Sequence, residues 1–445
     1  MWTFVEPTFS AVLPAAGINI LSFVVLSGRL SPLPVSPAIY FSGYLTLVGF
    51  LGFALTNVLA GSGGTGGVDV TLTSSELQQG AIAFSIASTI VLWSAAATRG
   101  RSINSGPGKN NSAGILDLGD MSRFAGIMVL LGALELVALV LILGYGDLLI
   151  RADRLVGRSS SLEAAIQMIA IAAVVAVGIA LFSSRGFLRF ASLVLLAGFV
   201  SYFVSLGTRR LALVPILLLL AYAISNRGKV RPLSLVAAGV ASLLLLVLPL
   251  YFRSLELHGL IPHLNGLASF ALTPEIVSAA ANNVLAGFKI TTMTAFSANP
   301  IDISTLWISI NPISGDSAGW YSVAPTLRLN RFTPFSAIGE LLNYGPVIFV
   351  LCLGTIGALM GVAQRVNDRL FTHNVGRFAA IAVLGLIFIF VVQCTQYNLR
   401  SNIRYLYFAI GLQLVAVVAI HVGNLRQVRA TQGGDPRRSV ANTPK

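Results

Sequence analysis

Long apolar runs follow one another along this 445-residue chain with few interruptions. A membrane-crossing helix needs roughly 20 such residues, and the runs that approach that length lie at 11–28, 37–60, 78–97, 124–146, 164–182, 188–206, 209–225, 234–252, 342–363, 378–395 and 404–423. They predict an all-α polytopic membrane protein of about 11 transmembrane helices. Runs 188–206 and 209–225 are joined so tightly that Gly207-Thr208-Arg209-Arg210 must turn as a hairpin at one membrane face.

One long polar segment, from about Arg253 to Glu340, breaks the series. The chain therefore divides into an N-terminal bundle of about 8 spans (1–252), a loop carrying short amphipathic helices (253–341), a C-terminal bundle of about 3 spans (342–423) and a basic, disordered tail (424–445). Within the loop, Thr273-Pro274-Glu275 reads as a helix start, with Thr273 as cap and Pro274 in the first turn. Ile276, Val277, Ala280, Val284, Leu285 and Phe288 then share one face, which predicts an amphipathic helix lying on the membrane or over a cavity. After Asn299-Pro300 the chain is rich in turn formers as far as Trp320 and Tyr321.

Composition agrees with that frame. Hydrophobic residues make up 55% of the chain and charged residues only 10%, which excludes an ordinary soluble domain. The excess of 29 Lys and Arg over 16 Asp and Glu raises nucleic acid as a partner. No nucleic-acid-binding signature accompanies it, and basic loops beside anionic lipid explain the balance. Assigning loops alternately to two sides puts 18 basic residues and 4 acids on one side and 11 of each on the other. The first side is expected to be cytoplasmic, with the C-terminal tail inside and the N-terminus outside. The amino terminus lacks a basic stretch and a convincing cleavage site, so the first run reads as a retained span.

This topology sends the 253–340 loop outside, together with Arg151, Arg154, Arg158, Arg209, Arg210, Arg400 and Arg404. Arginines there run against the insertion bias, and an anion is the local reason for them. Glu135, near the middle of run 124–146, costs several kcal/mol in lipid unless paired or hydrated, so it faces the bundle interior or a wet cavity. Other features are plain. Gly61 to Gly67 lacks the Lys-Ser/Thr of a phosphate loop and reads as a connector, and Cys352 and Cys394, inside or at the end of apolar runs, do not suggest a structural disulfide. No cluster reads as a metal site, and no cofactor is expected.

Ser205-Leu206-Gly207-Thr208-Arg209-Arg210, turning straight into an apolar run, and the later Pro334-Phe335-Ser336-Ala337-Ile338-Gly339-Glu340-Leu341-Leu342-Asn343-Tyr344-Gly345 resemble the Wzy-type oligosaccharide repeat-unit (O-antigen) polymerases. The resemblance implies a membrane glycosyltransferase of the C type at the outer face of a bacterial cytoplasmic membrane. Donor and acceptor would be undecaprenyl-diphosphate-linked glycans, with a chain-length regulator as a further partner. Displacing a lipid diphosphate builds negative charge that a metal or several guanidinium groups must stabilise. Outer arginines are plentiful and no acidic metal pair is evident, so metal-independent catalysis is expected. Arg209, Arg210, Arg331 and Arg400 are the first diphosphate ligands, with Arg151, Arg154, Arg158, Arg328 and Arg404 behind them. The acceptor hydroxyl needs a base: Glu340 first, then His258 and His263. Trp320, Tyr321 and Asn343 are sugar-contact candidates, the two aromatics reading equally as interfacial anchors. Three other classes fit the same pattern less closely: an O-antigen ligase-like transferase, a flippase for lipid-linked oligosaccharide, and a scaffold for polysaccharide machinery.

The charge asymmetry yields a direct test. A phosphatase reporter that works only outside the cytoplasm should be active when fused after Gly319 and inactive when fused after Arg369; the opposite pattern would invert the topology.

Overall fold

A computed structural model describes residues 9–27, 30, 36–59, 72–99, 121–153, 161–226, 232–252, 254–271, 273–296, 298–313, 315, 317–330, 333–370 and 374–432. The long helices are α1 (Phe9–Ser27), α2 (Pro37–Leu59), α3 (Ser74–Arg99), α4 (Ala125–Leu143), α6 (Ser161–Ser183), α7 (Phe187–Leu206), α8 (Val214–Ser225), α9 (Pro232–Phe252), α11 (Pro274–Phe296), α15 (Pro346–Leu370), α16 (Asn374–Gln393) and α17 (Leu399–Gln432). Five short helices stand among them: α5 (Tyr145–Leu149), α10 (Leu260–Ala268), α12 (Ser304–Ile310), α13 (Trp320–Val323) and α14 (Ala337–Asn343). A small antiparallel pair, β1 (Arg328–Asn330) and β2 (Thr333–Pro334), departs from the purely helical expectation.

Among the described residues six helices are long and apolar enough to cross a membrane: α2, α3, α4, α7, α15 and α17. The remaining apolar runs of the sequence fall on shorter apolar stretches of α1, α6, α8, α9 and α16. Helices are the solution lipid demands, since every backbone N–H and C=O must be satisfied within the segment. Outward faces are apolar as lipid requires: Leu130, Leu131, Leu134, Val137 and Leu141 of α4 are all exposed.

Polar contacts between the long helices mark two distinguishable ends of the bundle. At one, Arg99 of α3 pairs with Asp368 of α15 at 3.4 Å, and Arg365 Nε donates to the Arg99 carbonyl at 2.9 Å. Gln364 joins them, accepting from Ser36 Oγ at 2.9 Å and donating to the Leu30 carbonyl. The 254–343 segment gathers at the other, the loop end. There α3 starts on a capping box in which Thr73 Oγ1 accepts from the Glu76 N–H and the Glu76 carboxylate accepts from the Thr73 N–H at 2.7 Å.

With no hydrophobic drive between helices in lipid, close packing of small residues and interhelical polar contacts hold the bundle. Gly357 and Gly361 of α15 lie against the backbone of α3 at Val91 and Ala95. Asn19 of α1 donates to the Ser85 carbonyl and accepts from Thr46, tying α1, α2 and α3 together at 3.0 and 2.9 Å.

Several boundaries differ from the sequence reading. The run beginning at 342 is two helices: Gly345 takes φ +112°, a conformation that favours glycine, and Pro346 opens α15. Gly144, at φ +82°, similarly ends α4 and starts α5. The basic tail expected to be disordered from 424 is helical to Gln432, because no Gly or Pro intervenes before Gly433-Gly434. Helix α11 forms as expected, but its second half does not lie on the surface. Phe288, Thr291, Thr292 and Thr294 are buried between α2, α3 and α14, where Gly52, Gly80 and Gly339 leave room for them. A β-carbon on Gly52 would overlap the Cβ and Cγ of Phe288.

That contact predicts that Gly52→Ala destabilises the protein by about 1–3 kcal/mol through overpacking. Thermal unfolding in detergent measures it, and an unchanged midpoint would mean that α11 is not wedged there.

Candidate functional site

The loop end is assembled around the first turn of α17. Ser336 caps α14, its Oγ accepting from the Gly339 N–H at 2.8 Å, and so fixes the direction of Glu340. The Glu340 side chain is fully buried. Its oxygens accept from Ser309 Oγ of α12 at 2.8 Å, from the Tyr344 hydroxyl at 3.1 Å and from the Leu399 N–H at 2.9 Å. The last of these is an otherwise unpaired amide at the start of α17, so the carboxylate sits where the helix dipole favours negative charge. Burial still pushes the Glu340 carboxyl above the usual range, against the Leu399, Ser309 and Tyr344 hydrogen bonds that lower it. None of these three partners is an arginine.

Arg400, the next residue, reaches back over the loop. Its Nη1 donates to the carbonyls of Ile308 and of Asn311 (3.2 Å), its Nη2 to that of Ile313 (2.7 Å), and its guanidinium carbon stands 5.3 Å from the Trp320 ring centre. The guanidinium thus satisfies carbonyls at and beyond the end of α12. Arg209, in the turn ahead of α8, donates to Gln396 Oε1 at 2.9 Å, and Gln396 lies in the turn between α16 and α17. That turn also receives the Ala337 and Ile338 amides on the carbonyls of Tyr397 and Cys394. Glu340, Arg400, Trp320 and Arg209 are therefore joined through one turn of chain, and Arg404 stands one helical turn beyond Arg400.

A second group of candidates forms a separate cluster. Helix α7 ends with carbonyls that lack intrahelical partners. Arg151 Nη2 donates to the Ser205 carbonyl at 2.8 Å, and His263 Nδ1 donates to that of Val204 at 2.6 Å. Arg151 and His258 also exchange backbone hydrogen bonds at 2.8 and 2.9 Å, and Gly259 fits beside the Leu149 carbonyl only because it lacks a β-carbon. His263 Nε2 lies 3.4 Å from His258 Nδ1, and its ring stacks on Phe252. Burial holds the His263 pKa below its ordinary value, with His258 and Arg151 adding to the effect against the Val204 bond. These groups cap a helix, and positive donors at a helix C-terminus are electrostatically favourable. Arg210 points elsewhere, donating to the Gln167 carbonyl of α6 at 3.0 Å.

Asn343 is consumed structurally as well. Its amide donates to the Thr294 carbonyl at 2.9 Å and its oxygen accepts from the Ile301 N–H at 2.8 Å, locking the end of α11 to the strand of chain that leads to α12. Tyr321 is exposed, and Arg331, Arg154 and Arg158 lie outside the described residues.

Behind that lock opens a cavity of about 520 Å³ lined by polar groups of Asn299, Asp302, Thr305, Thr326 and Arg328 and by Phe335, among others. Its size is that of a small-ligand site. Its lining is more polar than apolar and suits a sugar better than an apolar ligand. Asp302 supplies the carboxylate of this wall; hydrogen bonds from Ser304 keep its pKa below the ordinary value. Of these residues Arg328 was a sequence candidate, as a second-rank diphosphate ligand. Asn299, Asp302, Thr305, Thr326 and Gln396 were not, although the turn signal of Asn299-Pro300 marked the place.

No family model, curated protein or solved structure matches this chain at a significant level.

The state of Glu340 generates a pH test. A carboxyl whose pKa is higher folded than unfolded gains stability as pH falls toward the unfolded value, so acidification from about pH 7 to pH 5 should stabilise this group. Glu340→Gln should fold, with a weaker gain in melting temperature over that interval than the unaltered protein shows. Equal slopes would mean that Glu340 does not titrate with folding.

Proposed function

We propose that this protein transfers a glycan from a lipid diphosphate to a hydroxyl of an acceptor sugar at the loop end of the bundle, the reaction of an oligosaccharide repeat-unit polymerase. The observation that carries this reading is the 520 Å³ polar cavity. It lies in the 298–335 segment at the loop end of a bundle of apolar helices, the end that also carries Arg209 and Arg400, where a substrate with an apolar anchor and a polar glycan would bring both halves together. The sequence resemblance and the loop-side arginines point the same way.

In this reading the acceptor sugar occupies the cavity, held by Asn299, Thr305, Thr326 and Arg328. Its hydroxyl oxygen attacks the anomeric carbon of the donor. The bond from that carbon to the diphosphate oxygen breaks, and the electron pair leaves with the diphosphate. Arg209 and Arg404 receive that charge, in place of a metal ion. Asp302, ionised at neutral pH, takes the hydroxyl proton. Glu340 and Arg400 act one step back: they hold α12, α13 and α14 on the start of α17, and so hold the cavity's shape. The loop end faces outward from a bacterial cytoplasmic membrane, and the donor lipid is undecaprenyl diphosphate.

Purified protein supplied with a lipid-linked repeat unit should produce a ladder of products on a gel, and should still do so with chelator present. Asp302→Asn and Arg209→Ala should each lower the rate by about 100-fold or more, the scale of a lost general base or charge stabiliser. A single transfer product would indicate a ligase-like enzyme instead, and movement of the lipid across vesicles without new glycosidic bonds would indicate a transporter.

A further inference from the structure

Within the apolar part of the bundle, α8 and α16 both pack on α6 but leave a gap between themselves. The gap is a slot of about 130 Å³, walled by Ile216, Leu217, Leu220 and Ala223 of α8, by Leu384, Ile387 and Phe388 of α16, and by Pro37 and Tyr40 of α2. An engineered apolar cavity of about 150 Å³ stays dry and binds benzene. This slot is therefore the right size for a few carbons of a hydrocarbon chain. Its walls are buried or half-buried, so it is a recess between helices rather than an ordinary lipid-facing surface.

The helices that wall the slot also lead to the arginine-bearing turn. Arg209 lies in the turn five residues ahead of α8, Gln396 three residues beyond the end of α16, and their hydrogen bond of 2.9 Å links the segments that lead into the two helices. Ile216 lies seven residues beyond Arg209 and Ala223 fourteen, or about 10 and 20 Å at the helical rise. Half of a bilayer's hydrocarbon is about 15 Å thick. The deeper part of the slot thus lies beyond the leaflet that an acyl chain headed at the level of Arg209 ordinarily fills, and a longer polyisoprenoid extends into it.

We propose that the slot between α8 and α16 seats the isoprenoid chain of a diphosphate lipid whose head group is held at Arg209 and Gln396. This rests on the proposed function for the identity of the lipid, and adds where its tail lies and why chain length matters. The protein should therefore distinguish diphosphate lipids by the length of their tails.

Binding of a long-chain polyisoprenyl diphosphate and of geranyl diphosphate to the purified, full-length protein tests this. Leu220→Trp, and Leu384→Trp from the opposite wall, fill the slot. Each should weaken binding of the long chain by about fivefold, the scale of packing contacts between apolar surfaces inside lipid, and leave geranyl diphosphate unaffected. Photolabelling of the unaltered protein with a photoreactive long-chain isoprenoid diphosphate provides a readout independent of whether those variants fold, and should mark residues within 216–223 or 384–388. Labelling confined to other segments, or labelling abolished by excess phospholipid, would overturn the proposal. So would unchanged long-chain affinity in both folded tryptophan variants. Arg209→Ala separates the two readings: it should weaken both lipids, and if it weakens neither, the head-group site is wrong, whereas failure of the slot alone leaves that effect intact.

Discussion

The loop end depends on how the start of α17 is satisfied. A helix that begins near lipid exposes amide groups without intrahelical partners, and water is not there to take them. Glu340 receives the Leu399 N–H, while Arg400 turns the other way and covers the carbonyls of Ile308, Asn311 and Ile313. Two adjacent positions of one helix thereby fasten three short helices. Each charge is buried or nearly so and each has hydrogen-bond partners, the condition under which a buried charge is tolerated.

This arrangement divides the polar residues of the loop-end segments by task. Arg151, His258 and His263 close the C-terminal end of α7, and Asn343 closes that of α11. Glu340 and Arg400 hold the scaffold together. The cavity itself is lined by the Asn299–Thr305 stretch with Thr326 and Arg328, while Arg209 pairs with Gln396 in the turn before α17. The chemistry we propose is thus carried by fewer and different side chains than a count of loop arginines implies, and the rest give that chemistry a rigid frame.

The sequence made the bundle legible because span length and hydrophobicity are set directly by the bilayer, and because Gly207 and Arg209 mark a turn that no membrane helix would carry mid-span. The loop was less legible. Nothing in the periodicity of α11 said that Gly52, Gly80 and Gly339, up to some 240 residues away in the chain, leave a channel into which Phe288 and its threonines fit. Glu340 was expected as the general base; its hydrogen-bond partners include a hydroxyl from α12 and an amide from α17, which no local pattern encodes. Arginines give the same lesson: a guanidinium binds a helix-end carbonyl as readily as a phosphate, and sequence alone does not distinguish the two.

Hydrogen exchange tests the central claim most directly, that Arg400 and Glu340 fasten the loop to α17. Arg400→Met preserves the bulk of the side chain and removes its donors. Backbone amides of 304–313 should then exchange at least about tenfold faster, the response expected when local opening becomes easier by about 1.4 kcal/mol, while those of α3 and α15 stay protected. Unchanged exchange across 304–313 in that variant would contradict the account.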